Sequence, residues 1–304
     1  MTYAQLLAML AVIITVPVFA IAAPTQPSGQ DTTPILRPQH ERAPNREYQH
    51  ILESGWQAYQ RGDIAAALAS YQRAVEVLPN DASLWYDLGC LHALNHETDR
   101  ARDALHRALI LDPKLAAAHD ALGQLTEQAG DTQAARALYA TANAIEPVNA
   151  KYLRHLARAL LRLNDTDSAR KAFQDLVMFE PRDVDARYQL GLLELRANAP
   201  DLAIHEFRKV LEHAPKHALA LNGLGLAYLH LGDFAQASST LQQAKTVDPN
   251  SASIQTNLGL VAAQQQHWDE ARSAWQRALQ LNPQYAPAAD NLKALDAMTT
   301  SSTP

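Results

Sequence analysis

The sequence predicts an all-α solenoid of stacked helical hairpins, on three observations. Seven prolines, Pro79, Pro113, Pro147, Pro181, Pro215, Pro249 and Pro283, follow one another at intervals of 34 residues. Apolar side chains recur at helical spacing twice within an interval, as in Trp85, Leu88, Gly89 and Leu91 followed by Ala101, Ala104, Leu105 and Ala108. Between the two stretches stands turn chemistry, Gly62, Gly130 and Gly232 each followed by Asp63, Asp131 and Asp233. A fixed period of this length marks a repeat architecture, in which each module buries its apolar face against its neighbours.

The first element is an address. Ala4 to Ala23 is uncharged and ends in Ala20-Ile21-Ala22, the small-x-small pattern after which signal peptidases cut. Residues 1–22 therefore read as an export signal, which puts the mature chain in the periplasm or outside the cell. The alternative is an uncleaved membrane anchor over residues 4–23, because about 20 apolar residues span a bilayer. Residues 23–47 carry Pro24, Pro27, Pro34, Pro38 and Pro44 among polar residues and read as a flexible linker.

Seven repeats follow, over 48–81, 82–115, 116–149, 150–183, 184–217, 218–251 and 252–285. Numbering the places of each repeat from 1 to 34 brings the rest into phase. The eighth place holds Gly55, Gly89, Gly123, Ala157, Gly191, Gly225 and Gly259, and the twentieth holds Ala in every repeat, from Ala67 to Ala271. The twenty-fourth holds Tyr71, Leu105, Tyr139, Phe173, Phe207, Leu241 and Trp275. Small residues on one helix let the other approach, and the large ones fill the space beside them. Asp63, Asp131, Asp165 and Asp233 are placed to cap second helices, and Asp81, Asn149, Asp183 and Ser251 to cap first helices. The fourth repeat departs most, with Ala157 for glycine and Asn164 at the turn, and a slight tilt of its helices is expected. Residues 286–298 read as a capping helix and 299–304 as a disordered tail.

Composition narrows the function classes. One cysteine, Cys90, closes no internal disulfide and falls short of the ligands a zinc site needs. A net charge of −6 lacks the basic footprint of most nucleic-acid binders. His92 and His96 stand four apart beside Cys90, but the helix ends near Asn95 and turns His96 away, so surface and packing roles are expected. No phosphate loop, HExxH or catalytic constellation is present, and the chain reads as non-catalytic, without metal or cofactor.

The phased Gly, Ala, aromatic and Pro places resemble the tetratricopeptide repeat family over all seven repeats. That resemblance implies a right-handed superhelix whose first helices line a concave groove through places two, five, nine, twelve and thirteen. Read at those places, the first two repeats offer Leu52, Trp56, Tyr59 and Tyr86, which either anchor a partner or pack between adjoining first helices. The fourth repeat offers Lys151, Arg154, Arg158 and Arg162, four cations in register on one stripe. Their neutralisers are either Asp120 and Glu127 of the preceding repeat or an acidic partner. The middle of the chain is locally basic, 12 basic against 10 acidic residues over 150–217, whereas 48–149 holds 7 against 13. Repeats five to seven offer Tyr188, Leu192, Leu195, Leu219, Leu226, Leu229 and Leu260, either an apolar trough or the seam between repeats. The Lys and Asn carboxylate clamp of some family members finds no match, since the ninth places contain no Asn. The function expected is an exported adaptor holding a peptide or helix of a partner protein, in envelope or secretion assembly, with a lipid or glycan in the apolar part of the groove as the alternative. Nucleic acid is not an expected partner, and the membrane is expected only through an uncleaved N-terminal segment.

Overall fold

The computed structural model describes residues 46–301, with side chains through Met298; the export-signal, anchor and linker readings fall on residues outside the described ones. Fifteen α-helices and no strand make up the described residues, an all-α helical-repeat solenoid. The chain divides into two compact bodies at Phe179 and Glu180. The N-terminal body contains α1 (Arg46–Gln60), α2 (Ile64–Val77), α3 (Ala82–Leu94), α4 (Thr98–Leu111), α5 (Ala116–Gln128), α6 (Thr132–Ile145), α7 (Ala150–Arg162) and α8 (Thr166–Phe179). The C-terminal body contains α9 (Val184–Arg196), α10 (Pro200–His213), α11 (Ala218–His230), α12 (Phe234–Val247), α13 (Ala252–Gln264), α14 (Trp268–Leu281) and α15 (Ala286–Ser301).

Within each body a helix packs on the next along the chain, and first helices of successive repeats also touch, as α3 with α5 and α11 with α13. The hairpin is held by close approach at the eighth place. A Cβ on Gly123 would lie 2.6 Å from the Tyr139 ring, and one on Gly259 would lie 2.4 Å from Trp275 Nε1. Each large residue at the twenty-fourth place is buried, and each alanine at the twentieth is buried without residue. Trp275 also places its indole N–H, which donates to Thr256 O at 3.1 Å on the facing first helix. The fourth repeat accommodates its extra methyl group with Ala157 fully buried.

The turn has one conformation in all seven repeats. The fifteenth place is left-handed throughout: Gly62, Gly130 and Gly232 have φ of 77°, 93° and 76°, and His96, Asn164, Asn198 and Gln266 have φ of 60°, 58°, 55° and 65°. Four side chains thus occupy a region that penalises any Cβ, least for Asn, whose short polar side chain bonds locally. The carboxylates of Asp63, Asp131 and Asp233 accept the third backbone N–H of the following helix at 2.9 to 3.0 Å. At the other junction Asp81 and Asn149 accept the second backbone N–H of their first helices, and Asp183 and Ser251 the third. His217 caps α11 through Nδ1, which accepts from Ala220 N at 3.0 Å and so requires the proton on Nε2.

The proline carbonyl at each junction lies beyond the helical ladder and needs a donor. At three junctions the side chain at the fourth place of the next repeat meets it: Trp85 Nε1 donates to Pro79 O at 2.9 Å and Arg187 Nε to Pro181 O at 2.6 Å, with His119 Nε2 3.0 Å from Pro113 O. Arg187 also pairs with Glu206 of α10 at 2.6 Å, which ties a repeat junction to the hairpin behind it.

Two stability changes follow. Gly123→Ala pushes a methyl group into the Tyr139 ring and should cost about 1–3 kcal/mol in denaturant unfolding. Gln266→Gly relieves a left-handed side chain in an exposed turn and should raise stability by roughly 0.5–1 kcal/mol, read as a higher melting midpoint.

Candidate functional site

The charged face begins with how α7 is seated. Asn149 Oδ1 accepts from Lys151 N at 3.1 Å and fixes where the helix starts. Tyr152, Leu153, Ala157, Ala159 and Leu160 are buried, which turns Lys151, Arg154, Arg158 and Arg162 to the opposite side at spacings of three, four and four.

Asp120 on α5 organises the upper half of that stripe. It is only 1% exposed, accepts from Gln124 Nε2 at 2.9 Å, and faces His155 Nδ1 at 2.6 Å and Lys151 Nζ at 3.4 Å. The Tyr139 and His155 rings lie against each other with centroids 5.3 Å apart. Glu127, two turns further along α5, does the same lower down. It pairs with Arg162 at 2.7 Å and accepts from Tyr139 Oη at 3.1 Å. Burial, then the Glu127 charge, hold the Tyr139 phenol well above its ordinary range. Of the two neutralisers read from the sequence, the preceding repeat therefore serves Lys151 and Arg162. Arg158 lies between them, half-buried, and makes no ion pair or hydrogen bond among the described residues. Arg158 is thus a cation of the stripe that no carboxylate among the described residues meets.

Beside this stripe opens a cleft of about 670 Å³, its open mouth included, lined by Tyr86, Cys90, Ala121, Gln124 and Lys151 on three successive first helices. His96, Thr98 and Leu105 complete it from the turn and second helix of the second repeat. Burial pushes the Cys90 thiol up to about 12, so it acts here as a small apolar wall rather than a thiolate.

The aromatic shelf divides. Leu52 and Tyr86 are buried, whereas Trp56 and Tyr59 are half-buried with ring centroids 5.7 Å apart. Tyr86 thus packs between first helices and presents only an edge to the cleft. The apolar trough requires a correction. Leu195, Leu226, Leu229 and Leu260 are buried in one core cluster of the C-terminal body, and only Tyr188, Leu192 and Leu219 keep part of their surface. The cause is close lateral packing: Phe207 presses on Gly223 as well as Gly191, which draws neighbouring first helices together over the leucines. Tyr188 itself lies between Phe207 and His217, with centroids at 6.1 and 5.4 Å.

His92 is buried and held by Glu97 at 2.5 Å, and His96 stands in the exposed left-handed turn, so the two point apart. Among the described residues no three His, Cys, Asp or Glu are grouped to hold a metal ion, and no helix is long and apolar enough to cross a membrane. Reasoning from sequence passed over Arg196 and His230, both at the thirteenth place. The signal was available, since that place belongs to the groove set. Both are half-buried, and Arg196 Nε and His230 Nε2 are enclosed without a hydrogen-bond partner.

Helical hairpins repeating at one length, with variable side chains on their first helices, define a repeat solenoid. The chain belongs to the tetratricopeptide repeat family: models of that repeat match residues 57–95, 89–150, 127–193, 188–252 and 252–285. Among solved structures it is similar to YrrB, a TPR protein described as having an unusual peptide-binding site, at 24% identity and a TM-score of 0.58 over 60% of this chain and 95% of that one. It is also similar to a tetratricopeptide repeat protein of Parabacteroides merdae, at 18% identity and a TM-score of 0.52 over 83% and 99% of the two chains. The pilF protein of Pseudomonas aeruginosa matches at 19% identity and a TM-score of 0.53 over 69% and 95%. Identities this low establish the shared fold. No curated protein sequence matches the chain significantly.

Asp120→Ala strips the buried partner from Lys151 and His155 together. It should destabilise the N-terminal body by about 3 kcal/mol in urea unfolding, far more than Asp99→Ala at an exposed pair.

Proposed function

We propose that the chain is a non-catalytic interaction scaffold that captures a peptide or helix of a partner protein on its first helices. The observation that carries this reading is the cleft of the second to fourth repeats set beside Arg158, a half-buried cation without an ion pair or hydrogen bond among the described residues. A cleft of that kind gives an extended segment somewhere to bury side chains, and a cation without a carboxylate selects an acidic one. The peptide-binding site ascribed to YrrB supports the same use of this fold. The uncharged segment Ala4 to Ala23 supports export, with assembly of the envelope or of a secretion system as the setting and a retained anchor as the alternative. A lipid or glycan ligand has less support, because the leucines on which it rested are covered.

Arg158 is the residue to change, since Lys151 and Arg162 already hold structural ion pairs. Arg158→Glu should weaken an acidic partner by roughly tenfold, with a steeper loss at low salt, and leave the melting midpoint in place. Pull-down with the wild-type and variant chains, followed by titration of the recovered partner, checks it. Equal affinities would reject the cationic face as the docking surface.

A further inference from the structure

We propose that Arg196 and His230 form a second receiving site, in the C-terminal body, for the carboxylate of an acidic side chain on a peptide ligand. The proposal rests on the peptide-binding reading above and adds a place and a chemistry to it. Both residues occupy the thirteenth place of consecutive repeats, on α9 and α11, two first helices that pack side by side. Each carries a nitrogen walled off from water, Nε of Arg196 and Nε2 of His230, and neither makes a hydrogen bond or ion pair among the described residues. Enclosed polar nitrogens without partners are costly, and a ligand carboxylate that reaches the half-exposed guanidinium and imidazole would relieve that cost.

Local acceptors do not meet either residue. Basic residues in a last helical turn gain from the helix dipole and can donate to terminal carbonyls, and both residues stand in that turn. Here the carbonyls of Leu193, Leu195, Ala227 and Leu229 are taken instead by the backbone N–H groups of Ala197 and Leu231. Burial lowers the pKa of Arg196 and of His230, and no carboxylate offsets it for either. This differs from α7, where Asp120 and Glu127 meet the cations in place. One turn before Arg196 on the same face, Leu192 remains half-buried, which offers an apolar contact next to the anion. An acidic residue beside an apolar one on an extended segment matches the pair. Arginine supplies a planar fork for the carboxylate, and the imidazole gains a proton-stabilising neighbour.

The test uses the full-length chain as bait for a displayed library of random dodecapeptides, with selected peptides synthesised and titrated by fluorescence anisotropy. We expect a class of binders containing Asp or Glu next to an apolar residue that loses about tenfold in affinity with Arg196→Gln and severalfold with His230→Asn. Changing that peptide carboxylate to an amide should cost the same tenfold against the wild-type chain and less than twofold against the Arg196→Gln chain. Arg196→Lys should recover part of the loss, and circular-dichroism melts should show all variants folded. Binders that are all unaffected by Arg196→Gln and His230→Asn, or that lose as much with the amide on the Arg196→Gln chain as on the wild type, would overturn this site while leaving the peptide-binding reading intact. Absence of any selected peptide would overturn both.

Discussion

Everything in this molecule depends on a small residue on the first helix of each repeat meeting a large one on the second. At six of seven eighth places the small residue is glycine, and the atoms that a Cβ would strike belong to the residue sixteen positions on, such as Tyr139, Phe207 or Trp275. That distance sets how close the two helices lie, and the buried aromatic then fills the space with little freedom left to it. Turn, caps and junction serve the same register. A left-handed residue closes each hairpin, an Asp or Asn caps many of the helices, and at some junctions a side chain at the fourth place donates to the proline carbonyl between repeats.

With the hairpin held from inside, the first-helix surface is free to differ between repeats. The N-terminal body spends it on charge. Asp120 and Glu127 are anchored by Gln124 and Tyr139 and so stand ready where α7 brings its cations, which makes Lys151 and Arg162 part of the architecture and leaves Arg158 for a ligand. The C-terminal body has few such carboxylates on its first helices, and Arg196 and His230 are enclosed without them. Apolar surface follows a different rule. Where first helices pack closely, over Gly223 and its neighbours, leucines at groove places are absorbed into the core, so a place in the repeat does not by itself decide exposure.

The hairpins, their caps and their close contacts were legible because each rests on a local residue type recurring at a fixed interval: proline at the end, aspartate at the cap, glycine opposite an aromatic. The pairing of Lys151 and Arg162 with the preceding repeat was legible as one of two options, because it needs only the sequence offset between adjacent first helices. The burial of Leu195, Leu226 and Leu229 was likewise legible only as one of two options, trough or seam, since it is decided by how far neighbouring helices approach, a quantity that no single repeat encodes. His217 as a cap was missed for a simpler reason: an imidazole acts there only as a neutral acceptor, outside the usual set of Ser, Thr, Asp and Asn. Arg196 and His230 were missed because each looks ordinary alone, and only their shared place without a carboxylate sets them apart.

Photocrosslinking decides most directly whether the first helices are the recognition surface. A photoreactive side chain at Gln124, in the cleft, should form an adduct with the bound partner in cells expressing the chain, and the same group at Ile110 or Met178 on second helices, 70% and 74% exposed, should not. Adducts from Ile110 or Met178 with none from Gln124 would place the partner on the opposite helices and contradict the reading of a first-helix docking face.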